Sequence, residues 1–481
     1  MILFMAMFTD IDRLLWTILG SIIGALLVLL VILIVYLLYG IGTKWSKIKT
    51  IRRRIDTARE FLSENMITDA LKIYAEVLNQ NEIKEYPEIY SAAKIGQGDC
   101  YYSLMLTTQK KEFLKKALAS YEAALTSVDS KQQEREFMRV NVAIGTLYLI
   151  LDEDGDTDSN LMQAINAFDA ALKTAIKTND LTNLDIIHYN LGTAYYRLSK
   201  RNKETKYIEK AIEYLEDSVS TYTNETHQTN SQDASLMLGY LYSALSDYSN
   251  KEENLTKGIF HYRQAIREYP PDKYPKEHAD IQRSLGRNYV RLSSISDIDR
   301  NLNNAIVSYK EALRYYTAEK SPEIYAEINN ILADIYSRFN ADREGIDNLS
   351  IAKEFYFETL RIYRDNASKE RQADILVALG DLALRQYLND NKEELIIEAI
   401  DHYNNALELR TIDKYPFEHA QIRQKLGDTY KRMARFKDWG TNMYKARQSY
   451  AEALKVFTIN DYPLWHKEVV SSMEEIDRLM L

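Results

Sequence analysis

The sequence predicts an all-α protein in which a single N-terminal transmembrane helix precedes an α-solenoid of helical hairpins with a 47-residue period. Three observations lead to this prediction. They are a long uncharged apolar run near the start of the chain, a set of small and aromatic residues that recurs at a fixed interval, and a scarcity of turn residues. With only 16 Gly and 7 Pro in 481 residues, the chain has too little turn chemistry for a fold of many short strands.

The apolar run covers residues 14–39 and contains no charged side chain, and about 20 such residues suffice to span a bilayer. A cleaved signal peptide is the alternative, but it would need a basic start, a shorter apolar core and a small-residue cleavage site. A small-xxx-small pair, Gly20 and Gly24, predicts close approach of two such helices in a homo-oligomer.

A basic cluster follows the apolar run and consists of Lys44, Lys47, Lys49, Arg52, Arg53 and Arg54. Because positive charge favours the cytoplasmic side, the cluster predicts a single-pass protein with its N-terminus outside and its C-terminal part cytoplasmic. The same side chains are candidates for contact with anionic lipid headgroups.

A column of small residues recurs every 47 residues through the rest of the chain. This glycine column is Gly98, Gly145, Gly192, Gly239, Gly286, Ala333, Gly380 and Gly427. A second small column runs from Ala117 to Ala446 with the same period, and an aromatic or leucine follows each of its members four residues later. Since an offset of four lies on one helical face, each unit is predicted to be two antiparallel helices that cross closely at the small residues.

The apolar run, the basic cluster and the two repeat columns together predict five segments along the chain. They are a short N-terminal segment (1–13), the transmembrane helix (14–39), a basic linker (40–52), about nine helical hairpins (53–463) and a C-terminal capping helix (464–481). A lone final helix is expected because the last hairpin of a repeat array has an apolar face to cover.

The segments LGTAYY and AIEYLEDSV, and again LGRNYV and AIVSYKEAL, resemble the tetratricopeptide repeat (TPR) family over about residues 53–481. The family's usual repeat is about 34 residues, so this chain resembles a long-repeat variant. The resemblance implies a protein-binding concave surface lined by the first helix of each hairpin. The family's carboxylate clamp would need lysine and asparagine where Tyr189, Thr193, Leu236 and Tyr240 stand, so a receptor for chaperone tails is not expected.

No catalytic motif is present in the sequence, and neither an enzyme activity nor a cofactor is predicted. The acidic run at Asp152, Asp154, Asp156 and Asp158 lacks the glycine and glutamate positions of an EF-hand loop, so it is interpreted as a solvated turn and no metal site is predicted. A net charge of −9 argues against nucleic acid as a ligand, since phosphate binding requires a basic face.

Arginine recurs on the predicted inner surface, and the candidate partner-binding residues are Arg283, Arg287, Arg291, Arg338, Arg385 and Arg432. Guanidinium groups bind carboxylates through two parallel hydrogen bonds, so the partner is predicted to contain an acidic or C-terminal carboxylate segment. Salt bridges within the protein are the alternative interpretation of these arginines.

The sequence therefore predicts a membrane-anchored scaffold that presents a TPR-like groove to cytoplasmic proteins. Two alternatives remain open at this stage. The chain could be a structural subunit of a membrane-associated assembly, which a stable stoichiometric complex would indicate. It could also be an accessory sensor that regulates a separate enzyme, which a signal-dependent partner would indicate.

Overall fold

The computed structural model describes the backbone of residues 2–128, 133–152, 158–180, 183–220, 228–339, 347–366 and 368–480. Within those ranges the side chains of 2–25, 39–41, 43, 82 and 228–232 are not described. All the regular elements in the described ranges are helices, which confirms the all-α prediction. The chain divides into two compact units, Met1–Thr223 (unit 1) and Asn224–Leu481 (unit 2).

Unit 1 contains eight α-helices and one short 3₁₀ segment in its described residues. The helices are α1 (Ile2–Ser63), α2 (Ile67–Leu78), α3 (Pro87–Thr108), α4 (Lys111–Leu125), α5 (Glu134–Asp152), α6 (Asp158–Thr178), α7 (Leu184–Asn202) and α8 (Thr205–Ser220), with the 3₁₀ segment at Asn81–Glu85. From α3 onward the helices form hairpins. We call the first helix of each hairpin the A helix and the second the B helix.

Unit 2 continues the same pattern within its described residues. Its helices are α9 (Gln228–Leu245), α10 (Lys251–Glu268), α11 (Pro275–Ser293), α12 (Ile298–Ala312), α13 (Pro322–Arg338), α14 (Asn348–Asp365), α15 (Lys369–Asp390), α16 (Glu393–Leu409), α17 (Pro416–Met433), α18 (Trp439–Leu454) and α19 (Pro463–Met480). Several helices begin at a proline, where the missing N–H would have no partner within the helix and therefore costs nothing. Each A helix packs along its B helix, and within a unit the B helix packs on the next A helix.

The glycine column lies where the A and B helices of one hairpin cross. A Cβ added at Gly286 would lie 2.8 Å from Cε2 of Tyr309, and one added at Gly192 would lie 2.5 Å from Cγ of Leu215. At five more glycines an added Cβ would lie 2.5 to 2.7 Å from the ring of the matching aromatic residue in the same hairpin's B helix. These glycines are Gly98, Gly145, Gly239, Gly380 and Gly427. At these glycines the facing tyrosine, phenylalanine or leucine occupies the space that a side chain would fill, so a larger residue would force that side chain to move.

The turn between the two helices of a hairpin is closed by a repeated polar arrangement. Asp297 has a φ of 44°, and the short side chain of aspartate or asparagine tolerates this left-handed conformation. Just beyond the turn, Nδ2 of Asn301 donates to the carbonyl of Ser296 at 2.7 Å. The same pair of features recurs in unit 2 at Asn250 and Asn254, and at Asp438 and Asn442. The repeat thus extends to the hydrogen bonds of its turns.

The N-terminal helix departs from the prediction. Among the residues whose side chains the structure describes, no helix is long and apolar enough to cross a membrane. This finding contradicts the predicted single-pass localisation with a cytoplasmic C-terminal part. Residues 14–25 of the span, including Gly20 and Gly24, lie outside the residues whose side chains are described.

Candidate functional site

The arginines at 291, 338, 385 and 432, which we call the arginine column, occupy equivalent places in four successive A helices of unit 2. Equivalent places do not give them equivalent contacts. Two of them are hydrogen-bonded to the preceding A helix, and the other two have no such bond to a residue that the structure describes.

Arg291 is held at the C-terminal end of α9. Its guanidinium donates to the carbonyl of Ser243 at 2.9 Å and to Oγ of Ser246 at 2.7 Å, and it pairs with Asp247. Only 23% of its side chain is exposed. The last carbonyls of a helix have no partner within the helix and carry its negative dipole end, so Arg291 stabilises the junction between two hairpins.

The same bond recurs at a constant separation in the chain. Arg385 donates to the carbonyl of Ser337 near the end of α13, and in unit 1 Arg197 donates to the carbonyl of Leu149 at 2.7 Å. In all three cases donor and acceptor are 48 residues apart. The pairing of Arg291 with Asp247 fits the alternative interpretation of the sequence, salt bridges within the protein, whereas the bonds of Arg291 and Arg385 to main-chain carbonyls were not predicted.

Arg338 and Arg432 lack the bond that ties Arg291 and Arg385 to the preceding A helix. Both are exposed, as Arg385 is, and neither forms an ion pair with any residue that the structure describes. Together with Arg385 they line a cavity of about 530 Å³ on α13, α15 and α17. The structure therefore brings three of the six predicted arginines to one groove, which we call the unit 2 groove.

Two carboxylates also line the unit 2 groove, and both are engaged within the protein. Asp334 accepts a hydrogen bond from the Tyr356 hydroxyl, and Asp381 accepts one from Tyr403 at 2.6 Å. Asp381 also accepts a hydrogen bond from the ammonium group of Lys425 at 2.7 Å. Because these carboxylates already have donors, Arg338 and Arg432 keep guanidinium donors for a ligand.

The tyrosine–aspartate pair was not predicted from the sequence. It recurs at Asp99 with Tyr121 and at Asp428 with Tyr450, always 22 residues apart. Burial, together with the carboxylate at Asp381, raises the pKa of Tyr403 well above its usual range. The repeated 22-residue spacing is the sequence signal that could have revealed the pair.

The remaining predicted arginines do not line the unit 2 groove. Arg283 lies 3.8 Å from Asp280 and 3.7 Å from Glu327, and its guanidinium lies over the ring of Tyr316. Arg287 is exposed on the same helix. Since Arg291 is held by α9, the three arginines of α11 do not share one free surface.

The basic cluster after the apolar run contacts acidic residues of α2, of the 3₁₀ segment and of the start of α3. Lys44 lies 3.8 Å from Glu85, Arg52 lies 3.9 Å from Glu88, and Arg54 is hydrogen-bonded to Glu76. Lys49 and Arg53 are exposed, and Lys47 has a partner of its own. These pairs link α1 to the residues that follow it, although exposed ion pairs contribute little individually.

Among the described residues, no group of three or more His, Cys, Asp or Glu side chains could hold a metal ion. Asp152 from the acidic run is buried and lies 2.9 Å from Arg201 and 3.5 Å from Arg197, so it is an ion-paired residue and not part of a solvated turn. Asp154 and Asp156 lie outside the described residues.

No protein-family model and no curated protein matches this chain. Among solved structures it is similar to the C-terminal part of a TPR repeat-containing protein from Cytophaga hutchinsonii, at 16% identity over 64% of this chain and 95% of that one, with a TM-score of 0.38. It is also similar to the apo quorum sensor NprR from B. thuringiensis (13% identity; 74% and 86%; TM-score 0.31) and to aspartyl phosphate phosphatase F from Bacillus subtilis (13%; 86% and 95%; 0.32). At these TM-scores the superpositions carry no argument about function.

Proposed function

We propose that the chain is a protein-interaction scaffold whose unit 2 groove binds an acidic peptide segment of a partner. The observation that carries this proposal is the pair Arg338 and Arg432, both exposed and both without an ion pair among the described residues, on either side of Arg385 in a cavity of about 530 Å³. Binding is the whole of the proposed activity, and no catalytic step is assigned to the chain.

The chemistry of the groove favours a carboxylate ligand. A guanidinium presents two parallel N–H donors that match the two oxygens of a carboxylate. Arg385 has a fixed position because it is hydrogen-bonded to the carbonyl of Ser337, so its ordering costs little entropy when a ligand arrives. Leu388, whose side chain is 66% exposed at the edge of the cavity, offers an apolar contact to a neighbouring residue of the ligand.

A charge-reversal experiment tests the proposal. The probe is a fluorescein-labelled octapeptide of glutamates, and its binding is measured by fluorescence anisotropy. The double variant Arg338→Glu/Arg432→Glu is expected to weaken binding by at least about tenfold. The variant loses two guanidinium groups that would pair with the carboxylates of the peptide, and its new glutamates repel those carboxylates.

A matched control comes from the B-helix surface. Arg364 on α14 is equally exposed but does not line the groove, so Arg364→Glu makes the same kind of charge change and should leave binding within about twofold. Equal binding by the double variant and by Arg364→Glu, with both folded by circular dichroism, would refute the proposed site.

A further inference from the structure

Unit 1 contains a cavity that the arginine column does not reach. The cavity has a volume of about 600 Å³ and lies on α5, on Asp180 and Asn183, and on the first turn of α7. Its lining consists of Arg135, Met138, Arg139, Val142, Asp180, Asn183 and Ile186. Apolar and charged side chains are thus combined around one concave surface.

The floor of this cavity is apolar. Met138 is only 6% exposed, while Val142 and Ile186 are half-buried. Methionine is unbranched and polarisable and adapts to ligands of different shape. A side chain of the size of leucine or methionine would therefore bury apolar surface here, which favours binding.

The rim of the cavity is basic. Arg139 donates a hydrogen bond to Asp99 at 2.5 Å, and Asp99 also accepts a hydrogen bond from the Tyr121 hydroxyl at 2.7 Å. The position of the Arg139 guanidinium is therefore fixed. Its side chain is nevertheless 60% exposed. Because a guanidinium has five N–H donors, Arg139 can bind a ligand carboxylate without giving up Asp99.

Arg135 is the more accessible of the two arginines. Its side chain is 87% exposed, and its one ion pair with a described residue places Nε 3.5 Å from Oδ2 of Asp180. That distance exceeds the usual range for an N–H···O hydrogen bond. The terminal nitrogens of Arg135 are therefore open to a carboxylate that approaches from solvent.

We propose that unit 1 carries a second ligand site, the unit 1 groove, which takes a short peptide segment with a large apolar side chain beside a carboxylate. The apolar floor selects the first group, and Arg135 with Arg139 selects the second. The unit 2 groove has three arginines and mainly selects charge. The chain would then hold two segments of different composition at once, and this bridging role rests on the proposed function of unit 2.

The test uses a fluorescein-labelled peptide in which leucines alternate with glutamates, titrated against the full chain. Arg135→Glu is expected to weaken its binding by at least about tenfold, and this exposed position should not alter folding. Ile186→Ser should weaken binding to a similar degree through the apolar floor. Lys115→Glu, an exposed charge reversal on α4 outside the cavity, is the matched control and should have no effect.

Two arms separate the failure of this site from the failure of the unit 2 groove. With the unit 2 groove saturated by unlabelled polyglutamate, the leucine–glutamate peptide should bind the parent with unchanged affinity. Unchanged binding by both Arg135→Glu and Ile186→Ser would overturn the unit 1 groove. Loss of this peptide in Arg338→Glu/Arg432→Glu would also overturn it, since one site would then account for both ligands. If polyglutamate binding is insensitive to Arg338 and Arg432, only the unit 2 proposal fails.

Discussion

The interior of the hairpins and the surface of the A helices use the same 47-residue period in different ways. Inside, four glycines of the column in unit 2 each face a tyrosine ring of their own hairpin, and the distance from an added Cβ to the nearest ring atom is nearly the same each time. The four rings are those of Tyr262, Tyr309, Tyr403 and Tyr450. On the surface, the arginine column has one residue type in four places and two kinds of contact. Packing therefore enforces equivalence in the interior, because each position is surrounded by atoms. A surface position has room to differ, and that difference makes a binding site possible.

The largest expected effect lies in the interior. In Gly286→Leu the new side chain must displace the ring of Tyr309, which should lower the free energy of unfolding by about 3 kcal/mol, the upper end of typical overpacking costs. Gly440→Leu is the control, since no atom lies within 4 Å of a Cβ added there. The free energy of unfolding of this variant should stay close to that of the parent. Urea unfolding followed by circular dichroism measures both. Equal stability of the two variants would contradict the packing role of the glycine column.

A smaller effect is expected within the arginine column. Arg291→Met keeps most of the apolar stem but removes the hydrogen bonds to Ser243 and Ser246, so it should cost about 2 kcal/mol. Arg338→Met removes no bond to a described residue and should change the free energy of unfolding by less than about 0.5 kcal/mol. The same urea titration compares them. Indistinguishable losses would show that the column has one role and not two.

The smallest effect concerns the tyrosine–aspartate pair. Tyr403→Phe removes the hydrogen bond to Asp381 and should cost about 1 kcal/mol at neutral pH. The pKa of Tyr403 is raised in the folded protein, so the unfolded chain loses its proton first. The stability contributed by this residue is therefore present below about pH 10 and is lost as the pH rises above that value.

Unfolding measured between pH 8 and pH 11.5 checks this sign. The parent should lose stability more steeply than Tyr403→Phe above about pH 10, while Tyr444→Phe, at a residue that is 62% exposed, should follow the parent. A parent and a Tyr403→Phe variant with the same alkaline slope would show that this hydroxyl does not titrate on unfolding.

The sequence was sufficient for the helical hairpins because a close crossing leaves a strict signal, a small residue opposite an aromatic one. It was not sufficient for the contacts of the A-helix surface. Whether an arginine meets a carbonyl depends on the end of another helix 48 residues earlier, and the four-residue spacing of Arg283, Arg287 and Arg291 says nothing about that helix.

The pairing of Asp381 with Tyr403 was not predicted, because helical phase indicates the direction of a side chain and not its partner. Hydrophobicity alone also misled the localisation, since no membrane-spanning helix is found among the described residues. The unit 1 groove was not predicted because Met138, Val142 and Ile186 have the apolar side chains of ordinary core residues. Only their placement beside Arg135 distinguishes them.

The bond between an arginine and the preceding A helix has a consequence for how this chain can change in length. Because donor and acceptor are 48 residues apart in all three cases, each of these bonds joins equivalent positions of two successive hairpins. Loss or duplication of a whole 47-residue segment would keep such an arginine in register with the matching carbonyl of the hairpin before it, whereas an insertion or deletion of another length would move the arginine away from that carbonyl. The junctions formed by Arg197, Arg291 and Arg385 are therefore tied to the length of the repeat.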